Sequence, residues 1–87
     1  MDVMKEFKLY ERDIWENLEE LHDFSDDINY AQKLIDAINS NLELIKLLNV
    51  ESLDKNEAEE ISSCVKYVSV IIKQYEEKIQ KSVELNI

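Results

Sequence analysis

Apolar residues fall into three stripes separated by polar breaks. The first, Val3, Phe7, Tyr10, Ile14, Leu18 and Leu21, recurs at intervals of four and three, the period of one helix face. The second, Ile28, Ala31, Ile35, Ile38, Leu42 and Ile45, keeps the same spacing, as does the third, through Ala58, Ile61, Val65, Val68, Ile72, Tyr75 and Ile79. These patterns predict helices over about residues 3–23, 26–49 and 55–84. Ser25, Asp26 and Asp27 break the first two apart, and Asp54 followed by Glu57 reads as a capping box ahead of the third. Helices of these lengths would span about 30, 35 and 45 Å. Short connections force neighbours to run antiparallel. The expected fold is therefore all-α, a single domain over 1–87 closed as a three-helix antiparallel up-down-up bundle, alone or dimerised into a larger bundle.

Two segments carry more apolar residues than one stripe needs. In helix 2, Leu34, Leu44, Leu47 and Leu48 widen the apolar arc beyond half the circumference, so this helix should be sandwiched. In helix 3, Tyr67, Val70 and Ile71 lie beside or well off the stripe, and the helix is about ten residues longer than the first, leaving Ile79, Val83 and Leu85 without obvious cover. The plain reading is a thickened core. The sharper one is an apolar interface made of Tyr67, Val70, Ile71, Ile79 and Val83. The branched residues between 64 and 72 would also suit a strand, but the helical stripe runs through them on both sides.

Composition narrows the function classes. The chain has no glycine and no proline, which excludes phosphate-binding loops, dinucleotide fingerprints and nucleophile elbows, all of which need glycine's backbone freedom. Function has to reside on helix faces. Twenty acids against ten bases give a net charge of −10, a field that repels phosphate backbones and anionic lipids. The acid is concentrated: residues 1–27 hold ten acids and three bases. On helix 1, Glu6, Asp13, Glu16, Glu20 and Asp23 fall within an arc of about 100°, and Asp27 continues the row. Glu16, Glu19, Glu20 and Asp23 crowd the helix's C-terminal turns, where the dipole disfavours anions; Lys73, Lys78 and Lys81 of helix 3 are candidates to offset them. A solvated acidic face that keeps a small protein soluble is the plain explanation of such a stripe, and docking on a basic surface of a partner protein is the functional one.

Catalytic chemistry is not expected. His22 is the only imidazole, and on the bundle model it lies about 20 Å along the axis from Cys64. Glu19 and His22 form one Glu-x-x-His pair where helical di-iron sites use two. Cys64 reads as a small buried hydrophobe and Trp15 as a core or interface anchor. No cofactor and no metal ion are implied. The single cysteine and the absence of a leader-like apolar run or an 18-residue apolar stretch point to a cytoplasmic protein with no membrane and no direct nucleic-acid contact. The expected role is that of a non-enzymatic, regulatory protein-protein interaction module: an inhibitor, adaptor or secretion-type chaperone that binds a partner protein through the acidic stripe or the apolar face. Two alternatives accompany it. One is a DNA-mimic inhibitor, whose carboxylates imitate a phosphate row; the other is a purely structural homo-oligomer.

Overall fold

The computed structural model describes residues 2–85. It is all-α, with α1 over Val3–Asp23, α2 over Ile28–Lys46, a single 3-10 turn at Val50–Ser52 and α3 over Lys55–Leu85.

Capping by carboxylates does the work that glycine and proline do elsewhere. Asp2 starts α1 by accepting the Met4 N–H at 3.0 Å. Asp27, with an extended backbone, starts α2 by accepting the Tyr30 N–H at 3.1 Å. The sequence pattern places this start at residue 26, one residue before the side chain that makes the cap. Asp54 and Glu57 form the reciprocal box ahead of α3: the Glu57 N–H donates to Asp54 Oδ1 at 2.9 Å, and the Asp54 N–H donates to Glu57 Oε1 at 3.3 Å. No described residue has a positive φ, so the turns close without glycine. Asp54→Ala is expected to remove about 1 kcal/mol and lower the melting temperature by roughly 4–8 °C, whereas Asp54→Asn should retain most of the stability; thermal unfolding followed by circular dichroism reads both.

One core joins the three helices. It comprises Phe7, Ile14, Leu18 and Leu21 of α1, Ala31, Leu34, Ile35, Ile38, Leu42 and Ile45 of α2, and Ile61, Cys64, Val68 and Ile72 of α3. These residues belong to the helical stripes or lie directly beside them, and no polar side chain is buried among the described residues. With six buried residues against four on each of the others, α2 is the most enclosed helix. Its arc is narrower than the leucines suggest. Leu34 is buried, but α2 ends at Lys46; Leu47, the C-cap residue, is 82% exposed, and Leu44 is also exposed. The leucines past Lys46 no longer follow the helical rotation.

The longest dimension of the molecule, 50 Å against 17 Å in each of the other two, is set by α3, whose 31 residues rise about 46 Å. Its last buried residue is Ile72; Tyr75 and Ile79 pack on the core's edge, and Val83 and Leu85 are exposed.

Candidate protein-docking surface

Trp15 directly follows buried Ile14, and Tyr67 directly precedes buried Val68. A one-residue step turns a side chain by about 100° around a helix, which carries each ring off the core and onto the seam between α1 and α3. There the two rings meet with centroids 5.9 Å apart and planes inclined at 45°, within the range where aromatic pairs attract. Both stay open to solvent, Trp15 at 41% and Tyr67 at 59% exposure. Val70, one turn on from Tyr67, is exposed too, while Ile71 is half-buried and packs on the core.

Polar contacts flank the aromatic pair along the seam. Toward the starts of both helices, Lys8 Nζ donates to Glu60 Oε1 at 2.7 Å and lies 3.6 Å from Glu11. Its ammonium is held above the usual lysine range, chiefly by the hydrogen bond to Glu60. Toward the other end, the Tyr75 hydroxyl lies 3.5 Å from His22 Nδ1, and Lys78 Nζ donates to Ser25 Oγ at 3.1 Å. Behind the seam sits Cys64, whose thiol burial pushes up to about 11, with the charge of Glu11 adding to the effect. A thiol so disfavoured as thiolate is a packing residue rather than a nucleophile.

The acidic stripe is not a free row of charges. Asp13 accepts hydrogen bonds from Asn17 of its own helix and from Asn41 of α2. Glu20 accepts the Tyr30 hydroxyl at 2.7 Å, an interaction that raises the tyrosine's pKa. Asp27 caps α2. Glu16 lies 3.4 Å from Arg12 in an exposed pair, and Glu6 is half-buried in the first turn. Asp23 is exposed at the last helical position. Three of the six carboxylates therefore secure α2 or tie it to α1. The crowded acid at the end of α1 is met by Arg12 and Tyr30; of the α3 lysines, Lys78 reaches this end of the molecule but bonds Ser25 instead of a carboxylate.

No family model, curated protein or solved structure matches this chain. Its surfaces must therefore be weighed on their own chemistry. Among the described residues, no three His, Cys, Asp or Glu side chains converge as metal ligands, and no helix is long and apolar enough to cross a membrane. Of the apolar positions singled out in the sequence, Tyr67 lies at the seam, Val70 is exposed one turn farther along α3, and Ile71 packs on the core. Ile79 packs on the core's edge and Val83 is exposed farther along α3. Trp15 joins Tyr67 from another helix. Its position just off the α1 stripe is legible in sequence, but its pairing with Tyr67 depends on how α1 and α3 are set against each other.

Proposed function

We propose that this protein is a small acidic interaction module that docks on a partner protein through the seam carrying Trp15 and Tyr67, with Val70 one turn farther along α3, and that its helices form an up-down-up antiparallel bundle. The bundle reading rests on pairings that run in step along α1 and α3: Lys8 with Glu60, Trp15 with Tyr67, His22 with Tyr75 and Ser25 with Lys78. Such an order is what α1 and α3 pointing the same way, with α2 returning between them, would give, and it supports that reading.

One observation carries the docking reading: two large aromatic side chains from different helices touch each other yet stay about half open to solvent. Tryptophan and tyrosine dominate the energetic centres of protein interfaces, because they bury large area at little conformational cost and keep a polar atom for hydrogen bonding. Glu11 and Glu19 flank Trp15 one turn away on either side. A partner with an apolar pocket rimmed by lysine or arginine is the complement of this surface. The stripe contributes steering rather than contact, since Asp13, Glu20 and Asp27 are already engaged.

Affinity capture with the immobilised chain, followed by titration of the recovered partner against variants, tests the proposal. Trp15→Ala and Tyr67→Ser should each weaken binding at least tenfold while leaving the helical content unchanged. Charge reversal at Glu16 and Asp23, which leaves the Glu20–Tyr30 contact in place, should chiefly slow association. Loss of binding on charge reversal alone, together with competition by DNA, would instead support mimicry. A concentration-dependent dimer on a sizing column with light scattering, and no captured partner, would leave self-association as the function.

A further inference from the structure

A second open apolar surface lies away from the seam, where the end of α2 meets the start of α3. Ile45, Leu48 and Val50 form one side, and Ala58, Ile61 and Val65 form the other, around an open cavity of about 320 Å³. Its volume falls at the lower end of the range of small-molecule sites, which are typically apolar clefts with a few polar groups that fix orientation. The polar residues in its lining are Lys46, contributed by α2, and Ser62 and Lys66, contributed by α3; no carboxylate among the described residues lines it. In a chain of net charge −10, the charged side chains in the lining of this apolar cleft are both cationic, one lysine from each of two helices. Among the described residues, Lys46 is held only by an exposed contact with Glu43 at 3.4 Å, a pair weak enough to be exchanged for a ligand.

We infer that this cleft binds a free, single-chain aliphatic carboxylate. Its hydrocarbon tail would lie on Ile45, Leu48, Ile61 and Val65, with its head group between Lys46 and Lys66 and within reach of the Ser62 hydroxyl. The wall residues 58–66 rise about 12 Å along α3, room for a medium-length chain. The small volume favours one chain over a two-chain lipid, and the chain's net negative charge disfavours an anionic membrane surface.

The test titrates the isotope-labelled 87-residue chain with dodecanoate, below the concentration at which it forms micelles, and follows backbone amide shifts. Saturable changes confined to residues 45–50 and 58–66 are expected. The double variant Lys46→Glu, Lys66→Glu, which alters only exposed side chains, should weaken binding at least tenfold. Dodecyltrimethylammonium, with the same tail and the opposite charge, should also bind at least tenfold less tightly. Ser62→Trp, placed at an exposed position on the cleft wall, should block the site; the double charge variant tests the same assignment should this one perturb folding. Equal binding of the cationic amphiphile, or an undiminished affinity in the double charge variant, overturns the inference. So do changes spread to Trp15 and Tyr67, or cleft shifts that follow protein concentration without ligand and so assign the cleft to a second copy of the chain.

Discussion

Phe7→Ala is expected to destabilise the folded protein by about 3–5 kcal/mol, the cost of deleting a buried aromatic side chain and leaving a cavity. Phe7 is fully enclosed on α1, within a core to which all three helices contribute. Domains carry roughly 0.05–0.15 kcal/mol of stability per residue, so for a chain of 87 residues this single change removes a large part of the total. Urea unfolding should show a much lower midpoint with little change in slope. Leu47→Ala provides the contrast: with its side chain 82% exposed at the end of α2, it should shift stability by no more than about 0.5 kcal/mol. Equal effects at the two positions would refute the assigned core.

Alkaline pH should unfold the protein earlier than neutral pH, and Cys64 should resist thiol reagents until it does. Burial moves the Cys64 thiol from its ordinary value of 9.0 up to about 11. The unfolded chain therefore releases that proton at lower pH than the folded one, and stability falls as pH rises through the interval from about 9 to about 11. The Tyr30 hydroxyl acts in the same direction, because its donation to Glu20 at 2.7 Å is lost on ionisation. Lys8 does as well: its ammonium is favoured in the folded state by Glu60, and that contribution disappears as pH passes the folded pKa. Urea midpoints measured at neutral pH and near pH 10.5 should differ, and Cys64→Ala should flatten part of the difference. At neutral pH, raising the thiol from 9.0 to about 11 by burial lowers its thiolate fraction on the order of a hundredfold. A chromogenic disulfide reagent should accordingly label Cys64 far more slowly in the folded protein than in urea. Fast labelling of the folded chain, or a midpoint insensitive to alkali, would contradict this environment for Cys64.

Much of the local structure was legible in the residues themselves. Phe7, Ile14, Leu18 and Leu21 occupy one face because a helix repeats every 3.6 residues, and the structure buries all four. Asp54 and Glu57 read as a cap because a carboxylate three residues from a backbone N–H has a single local geometry in which both groups are satisfied. The end of α2 was less legible. Leu47 and Leu48 continue an apolar run, yet the backbone turns after Lys46: the Leu48 N–H bonds the Ile45 carbonyl, and the Val50 N–H bonds the Leu48 carbonyl. Hydrophobicity alone does not mark that change of course.

The acidic stripe shows the same limit at the candidate site. Spacing places Glu6, Asp13, Glu16, Glu20 and Asp23 on one side of α1, but it is blind to Asn41 and Tyr30, which approach from α2 and take up Asp13 and Glu20. A row that reads as a free anionic surface is in part the polar edge of a helix pair. Trp15 and Tyr67 reverse the case. Spacing marks Trp15 as a core or interface anchor and Tyr67 as an off-stripe interface candidate, each on its own helix; only the structure shows that they meet as the exposed pair on which the docking reading rests.

By itself, then, the sequence determined that this chain is helical, that Asp54 and Glu57 cap the third helix, which helix faces turn inward and how strongly acidic the molecule is. All of these follow from periodicity within a few turns and from a sum of charges. Only the tertiary structure decided which off-stripe residues meet, that half of the acidic row is already engaged, and that an apolar cleft with two lysines opens between α2 and α3. Those outcomes depend on the rotation and axial offset of one helix against another, which arise from packing three faces together and leave no local signature in the chain.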